Sequence, residues 1–187
     1  MSDRSAVNPH VVKFYNDEES LGHTVAEFLA AGLRDRLPAI IIATPAHRTL
    51  IGRQLEERSL NVRQLEGQGD LQMLDADEVL DRVMVGNEPD SVLFHATVDG
   101  LMERACQGGP ARPIRAYGEL VDVLWKGANA DGAIRLEKLW NRVTTQGQLS
   151  VLCGYAVGNF YQPITSGPNF QTVCDQHNHI IPAEKTA

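Results

Sequence analysis

The stretch "PAIIIATP" (residues 38–45) decides the fold. Its unbroken apolar run lies between two prolines, and it suits a strand buried on both faces of a parallel sheet. Pro38 ends the helical pattern before it, and Pro45 can open a helix after it, where a missing N–H costs nothing. Upstream, Leu21, Val25, Phe28, Leu29 and Leu33 recur at helical spacing, which predicts an amphipathic helix to about residue 36. Asn16 or Asp17 can cap that helix, and Glu18 and Glu19 place negative charge in its first turn, as the helix dipole prefers. Before it, "HVVKFY" (residues 10–15) reads as a short strand. Strand, helix and buried strand in succession form a right-handed crossover unit.

The rest of the chain continues the alternation. Leu50, Ile51 and Leu55 form the inner stripe of the helix opened by Pro45, and "LQMLDA" (71–76) is a third strand. Asp75 to Asp77 cap a short helix to residue 85, residues 87–89 punctuate, and residues 92–105 are helical up to Gly108-Gly109-Pro110. "RPIRAYGE" (112–119) carries a strand into a turn, with a helix through Leu120, Val123 and Leu124 behind it. Residues 131–146 form a further amphipathic helix, and "LSVLCGY" (149–155) a last buried strand. The expected fold is α/β, a mostly parallel central sheet with helices on both faces.

Composition sets outer limits. At 187 residues the chain fits one domain, with 43% hydrophobic and 22% charged residues. A net charge of −7 argues against non-specific nucleic-acid binding, which needs a basic face. Three widely spaced cysteines suit reduced thiols. No secretory h-region opens the sequence, and no apolar stretch nears the roughly 20 residues of a membrane span. These features predict a soluble cytoplasmic protein: a flexible stretch over residues 1–9, one domain over 10–182 and a tail over 183–187.

In such a sheet, ligands bind beyond the carboxyl ends of the strands. The first such turn holds Asp17-x4-Gly22-His23-Thr24, on the spacing of the phosphate-loop pattern G-x-x-x-x-G-K-[ST]. Asp17 replaces the leading glycine, His23 replaces the lysine, and Glu18 and Glu19 lie inside. Carboxylates in that cradle would repel a triphosphate, so ATP is not expected; Gly22-His23-Thr24 reads either as a chance fragment of an amphipathic helix or as the trace of a degenerated nucleotide fold whose pocket serves something else.

From Arg115 onward, "RAYGELVDVLWKGANADGAIRLEKLWNRV", "SVLCGY" and "VCDQHNHIIP" resemble, in order, the MEDS domain, the sensory domain of DcmR-type regulators. The opening "HVVKFYNDEESLGHTVAEFLAAGL" resembles the same family, so the likeness runs over residues 10–182. It implies a three-layer RecA/KaiC-like sandwich with a degenerate phosphate loop. It also implies a non-catalytic module that senses a small ligand, such as a hydrocarbon derivative. Relatives carry fused signalling domains, so the resemblance implies a separate partner here, a histidine kinase or transcription regulator, or self-association. A pure interaction module and a residual nucleotide-binding enzyme are the alternatives.

Candidate site residues follow from position. Tyr15 and His23 flank the first turn; Arg115, Tyr117 and Glu119 are expected at the carboxyl end of their strand, lining a pocket or forming an internal ion pair. Glu137 and Asn141 are four apart and share a helix face, with Trp140 beside it; Trp125 and Trp140 read first as core and second as an apolar wall for a small ligand; Tyr155 follows the last strand's Cys153, itself expected as a buried apolar thiol. Cys174 and His177 can share a helix face and match the family's terminal C-x-x-H pattern; their reading stays open between helix-end packing, ligand sensing and metal. His179 would join them only past the helix end, and a four-ligand site would need Cys106 or His95 from elsewhere. No metal or other cofactor is expected. As a Cys–His nucleophile pair, Cys174 and His177 lack an orienting third group.

Overall fold

Residues 39–43 are buried throughout and run inside the sheet, as a strand apolar on both faces must. The computed structural model describes residues 9–145, 148–161 and 168–184. In chain order these form β1 (His10–Tyr15), α1 (Glu18–Arg34), β2 (Ala39–Ala43), α2 (Pro45–Glu57), α3 (Val62–Gln68), β3 (Leu71–Asp75) and α4 (Ala76–Val83). A small hairpin, β4 (Met84–Val85) and β5 (Glu88–Pro89), leads to α5 (Ser91–Cys106), β6 (Ile114–Gly118), α6 (Leu120–Lys126) and α7 (Ala130–Thr145). The chain then forms β7 (Leu149–Ala156), a 3-10 turn (Val157–Phe160), α8 (Phe170–Cys174) and β8 (His179–Ile181).

Six strands form one all-parallel sheet in the order β3-β2-β6-β7-β1-β8. The alternation of side chains along each strand divides the core in two. Val11 and Tyr15 join Leu21, Val25, Leu29 and Ile51 under α1 and α2. Val12 and Phe14 face the opposite way, with Phe94, Trp125, Leu136 and Trp140 of α5, α6 and α7. The result is a three-layer α/β sandwich, the expected fold class. Among the described residues no helix is long and apolar enough to cross a membrane.

Caps explain the helix starts. The Asp17 side chain accepts from Ser20 N and the Asp90 side chain from Val92 N and Leu93 N, so orphan amides of the first turn are satisfied. Gly22 sits against α2: a Cβ there would lie 2.8 Å from Leu50 Cγ, so only glycine lets the two helices approach this closely.

Sequence periodicity missed α3, the hairpin and β8. Only Val62 of α3 is buried; the helix is defined by the Asn61 cap and by Gly69, whose φ of 75° ends it in the left-handed region. β8 is half exposed and takes its conformation from pairing Val11↔His179 and Lys13↔Ile181, a non-local cause.

Candidate functional site

The carboxyl ends of β1, β2, β6 and β7 surround a cavity of about 570 Å³. Chain order reverses direction across the sheet here, the position at which open parallel sheets leave a crevice. Tyr15 ends β1, Thr44 follows β2, Glu119 follows β6 and Ala156 ends β7, all on the cavity wall. His47 arrives from the first turn of α2, and Asp122 and Lys126 from α6.

Glu119 is the hub. Its Oε1 accepts from Thr44 N at 2.5 Å, while its Oε2 accepts from Tyr117 Oη at 2.9 Å and lies 2.5 Å from His47 Nδ1. Burial opposes the charge, but His47 and the Thr44 amide overcome it and hold the carboxyl below its usual range. The same hydrogen bond raises His47 against the opposing pull of burial. An ionised Glu119 and a charged His47 therefore stand as a pair, with Glu18 Oε1 3.9 Å from the other imidazole nitrogen.

Asp122 behaves differently. Its Oδ1 accepts from Ala156 N at 2.9 Å and Asn159 Nδ2 at 2.7 Å, and its Oδ2 accepts from Tyr15 Oη at 3.4 Å. Burial dominates and pushes its carboxyl up to about 6. Tyr15 is raised by burial and by Asp122, so it stays a neutral donor. The cavity thus presents a carboxyl that titrates near neutrality beside a fixed ion pair. Among the described residues its walls contain no serine or cysteine nucleophile.

The other candidate residues scatter. Tyr117 is buried behind Glu119 and touches the cavity only through it. Arg115 lies in the amino-terminal half of β6, paired with Ala39 and Ser150, and so at the opposite end from Glu119 rather than at the carboxyl end expected from sequence. The two form no ion pair; Arg115 Nη1 donates to Phe28 O at 2.6 Å, with its guanidinium 5.1 Å from the Phe28 ring centroid. His23 is exposed on α1, its Nδ1 2.8 Å from Arg58 Nη2. Gly22, His23 and Thr24 are helical, and Asp17 caps the first turn where a phosphate would need free amides.

Trp140 is core, edge-on to Phe94 at 4.8 Å, and Trp125 packs on Phe160 at 4.8 Å; neither lines the cavity. Tyr155 turns away from the cavity into the other half of the core, where its Oη donates to Glu137 Oε1 at 2.9 Å. Cys174 ends α8 in that apolar cluster, its thiol raised by burial. His177 lies beyond the helix, where its ring packs against His10 at 4.2 Å between centroids and its Nε2 is 3.4 Å from Glu137 Oε2. His179 is exposed on β8, and His95 and Cys106 lie outside this cluster.

His47, Asp122 and His10 were not singled out from sequence. His47 and Asp122 each follow a strand end by a few residues, which is the signal available; His10 carries none. Glu137 and Asn141 do share a face, and both approach His10.

A comparison with curated proteins finds no match to the chain. A family model, described as "MEthanogen/methylotroph, DcmR Sensory domain", matches residues 9–166, a span that holds every cavity residue and stops short of Cys174 and His177. By that match the chain belongs to the MEDS sensory-domain family.

Proposed function

We propose that the protein is a non-catalytic sensory module that binds a small ligand in the cavity at the carboxyl ends of β1, β2, β6 and β7. The observation that carries this reading is the pairing of a pinned ion pair, Glu119 and His47, with an adjustable carboxyl, Asp122, on one cavity wall. Apolar Ala46, Val123 and Ala156 share the lining with these polar groups, so the suited ligand is a small hydrocarbon derivative bearing an amine or hydroxyl that donates to Asp122. The sheet then belongs to the RecA/KaiC-like class, and the capped, acidic start of α1 supports the reading that it has no working phosphate loop and no ATP chemistry. Output then passes through a partner, a histidine kinase or transcription regulator, or through a second copy.

The test is thermal melting with a panel of short-chain amines, alcohols and diols, beside an ATP-turnover assay. The reading expects a saturable rise in Tm with at least one compound, lost in Asp122→Asn, and no phosphate release. ATP hydrolysis by the purified chain would overturn it. A flat panel together with retained binding of a signalling partner would favour a pure interaction module. That alternative has its own support: Val85, Val92 and Leu93 are exposed at the hairpin and the start of α5.

A further inference from the structure

On the face of the sheet opposite α1, the side chains of His10, Glu137, Cys153 and His177 meet in the core. They come from β1, α7, β7 and the segment after α8. One ring nitrogen of His10, one of His177, a Glu137 oxygen and Cys153 Sγ all lie within 4.8 Å of one another. Glu137 Oε2 is 3.2 Å from His10 Nε2 and 3.4 Å from His177 Nε2. Cys153 Sγ is 3.4 Å from His10 Nε2 and 3.6 Å from Glu137 Oε2. Bonds of about 2.0–2.3 Å arranged tetrahedrally around one ion would set ligand atoms roughly 3.3–3.8 Å apart. Four of the six edges, at 3.2–3.6 Å, lie in or near that range, and the two that join His177 to His10 and to Cys153 are within 4.8 Å.

Both rings are held in the tautomer a metal requires. His10 Nδ1 faces two acceptors, Asn141 Oδ1 at 2.8 Å and Gln176 O at 3.1 Å, so it carries the proton. His177 Nδ1 donates to Val173 O at 2.8 Å. In each ring this leaves the Nε2 lone pair aimed at the centre of the cluster. Glu137 Oε1 is taken by Tyr155 Oη, which leaves Oε2 for the centre.

Something must hold these atoms together. His177 Nε2 is fully buried and has no hydrogen-bond partner, an orphan that native cores avoid. Protons on both Nε2 atoms would stack two imidazolium rings at 4.2 Å around one carboxylate, leaving net positive charge in an apolar core. A divalent cation resolves both problems. Two neutral imidazoles, one carboxylate and one thiolate balance its charge and satisfy every inward-facing atom.

We propose that His10, Glu137, Cys153 and His177 form a closed, four-coordinate site for a divalent transition metal of the zinc class. Two imidazoles, a thiolate and a carboxylate suit zinc and its borderline-soft neighbours rather than magnesium or calcium. Binding forms the four metal–ligand bonds and releases the Cys153 thiol proton to water. With all four positions filled by protein the site is structural. It joins the segment that carries β8 to β1, β7 and α7, and it is separate from the cavity at the strand ends. The expectation from sequence that no metal binds rested on neighbours of Cys174 in the chain; the ligands here meet only in the fold.

The test is cobalt substitution in the full chain. Protein unfolded with chelator and refolded with Co²⁺ is expected to take up one equivalent, with intense tetrahedral d–d bands and a thiolate-to-cobalt charge-transfer band. Metal analysis of untreated protein is expected to find close to one zinc-class ion per chain. Cys153→Ser should abolish the charge-transfer band, whereas Cys106→Ser with Cys174→Ser should keep it. Asn141→Ala, which removes the His10 orienting contact and a longer one to Gln176 Oε1 and leaves all four ligands in place, should weaken cobalt binding by roughly 10- to 100-fold. Should Cys153→Ser fail to fold, His177→Gln serves in its place, retaining the charge-transfer band while the d–d bands shift. Wild-type protein that folds without metal and gives no charge-transfer band on refolding with cobalt would overturn the proposal. So would a band that survives Cys153→Ser. The cluster would then be a proton-held histidine–carboxylate network.

Discussion

His47 Nδ1 lies 2.5 Å from Glu119 Oε2, and this pair, with Asp122 beside it, makes stability depend on pH in a defined direction. His47 is raised above its ordinary 6.5, so its contribution is complete below that value and fades as pH rises through the raised one. Glu119 is lowered from 4.5, so its contribution is complete above that value and is lost as pH falls through the lowered one. Asp122 moves from 3.8 to about 6; a raised carboxyl contributes most below 3.8 and loses that contribution as it ionises toward pH 6. Together they predict a Tm maximum near pH 4.5 or just below, a fall toward pH 6 that belongs to Asp122, and a further fall above 6.5 that belongs to His47. Asp122→Asn should remove the fall between pH 4.5 and 6, keep the His47 fall above 6.5, and gain on the order of 2 kcal/mol at pH 7.5. Melting across pH 4 to 8 checks this, and an identical decline in both proteins would clear Asp122 of any part in it.

His23→Lys restores the lysine of the phosphate-loop pattern but places it on the exposed side of a formed helix. We expect no ATP hydrolysis above background and a stability within about 0.5 kcal/mol of wild type, as for most surface changes. Phosphate release by this variant would show that residues 17–24 can leave the helix and cradle a nucleotide.

Arg115→Ala removes the hydrogen bond to Phe28 O and the contact with the Phe28 ring. The expected loss is about 1 kcal/mol in denaturant unfolding. Ligand binding should not change, because Arg115 occupies the opposite end of β6 from the cavity. A variant that melts normally yet loses ligand response would put Arg115 back in the site.

Much of the sheet was legible because its signals are local. The run at residues 39–43 is apolar on both faces, and capping residues such as Asp17 stand next to the helices they start. The site was legible only in part. Tyr15 and Glu119 sit at strand ends, where position alone identifies them. Arg115 shows the limit: sequence locates the strand, but neither which end of it a residue occupies nor that its charge is held by a helix carbonyl. His10 and His177 are farther still from view, since what turns them inward is a set of contacts among β1, α7 and the segment after α8.

Lys13 offers a last contrast. Its ammonium is buried, donating to Pro182 O at 3.1 Å and lying 2.5 Å from Glu184 Oε1, which also accepts from Ser20 Oγ. Those bonds hold the Glu184 carboxyl down to about 2. The two ends of the pair are unequal, Lys13 being 3% exposed and Glu184 46%. Removing the exposed partner strands a buried charge, whereas removing the buried one strands nothing. Glu184→Gln should therefore cost about 1 kcal/mol, short of the several that a wholly buried pair forfeits. Lys13→Met, which fills the same volume without a charge, should be neutral or stabilising. Urea unfolding of the two variants checks the order, and a Lys13→Met variant weaker than Glu184→Gln would mean that the ammonium holds the C-terminal segment by more than its charge.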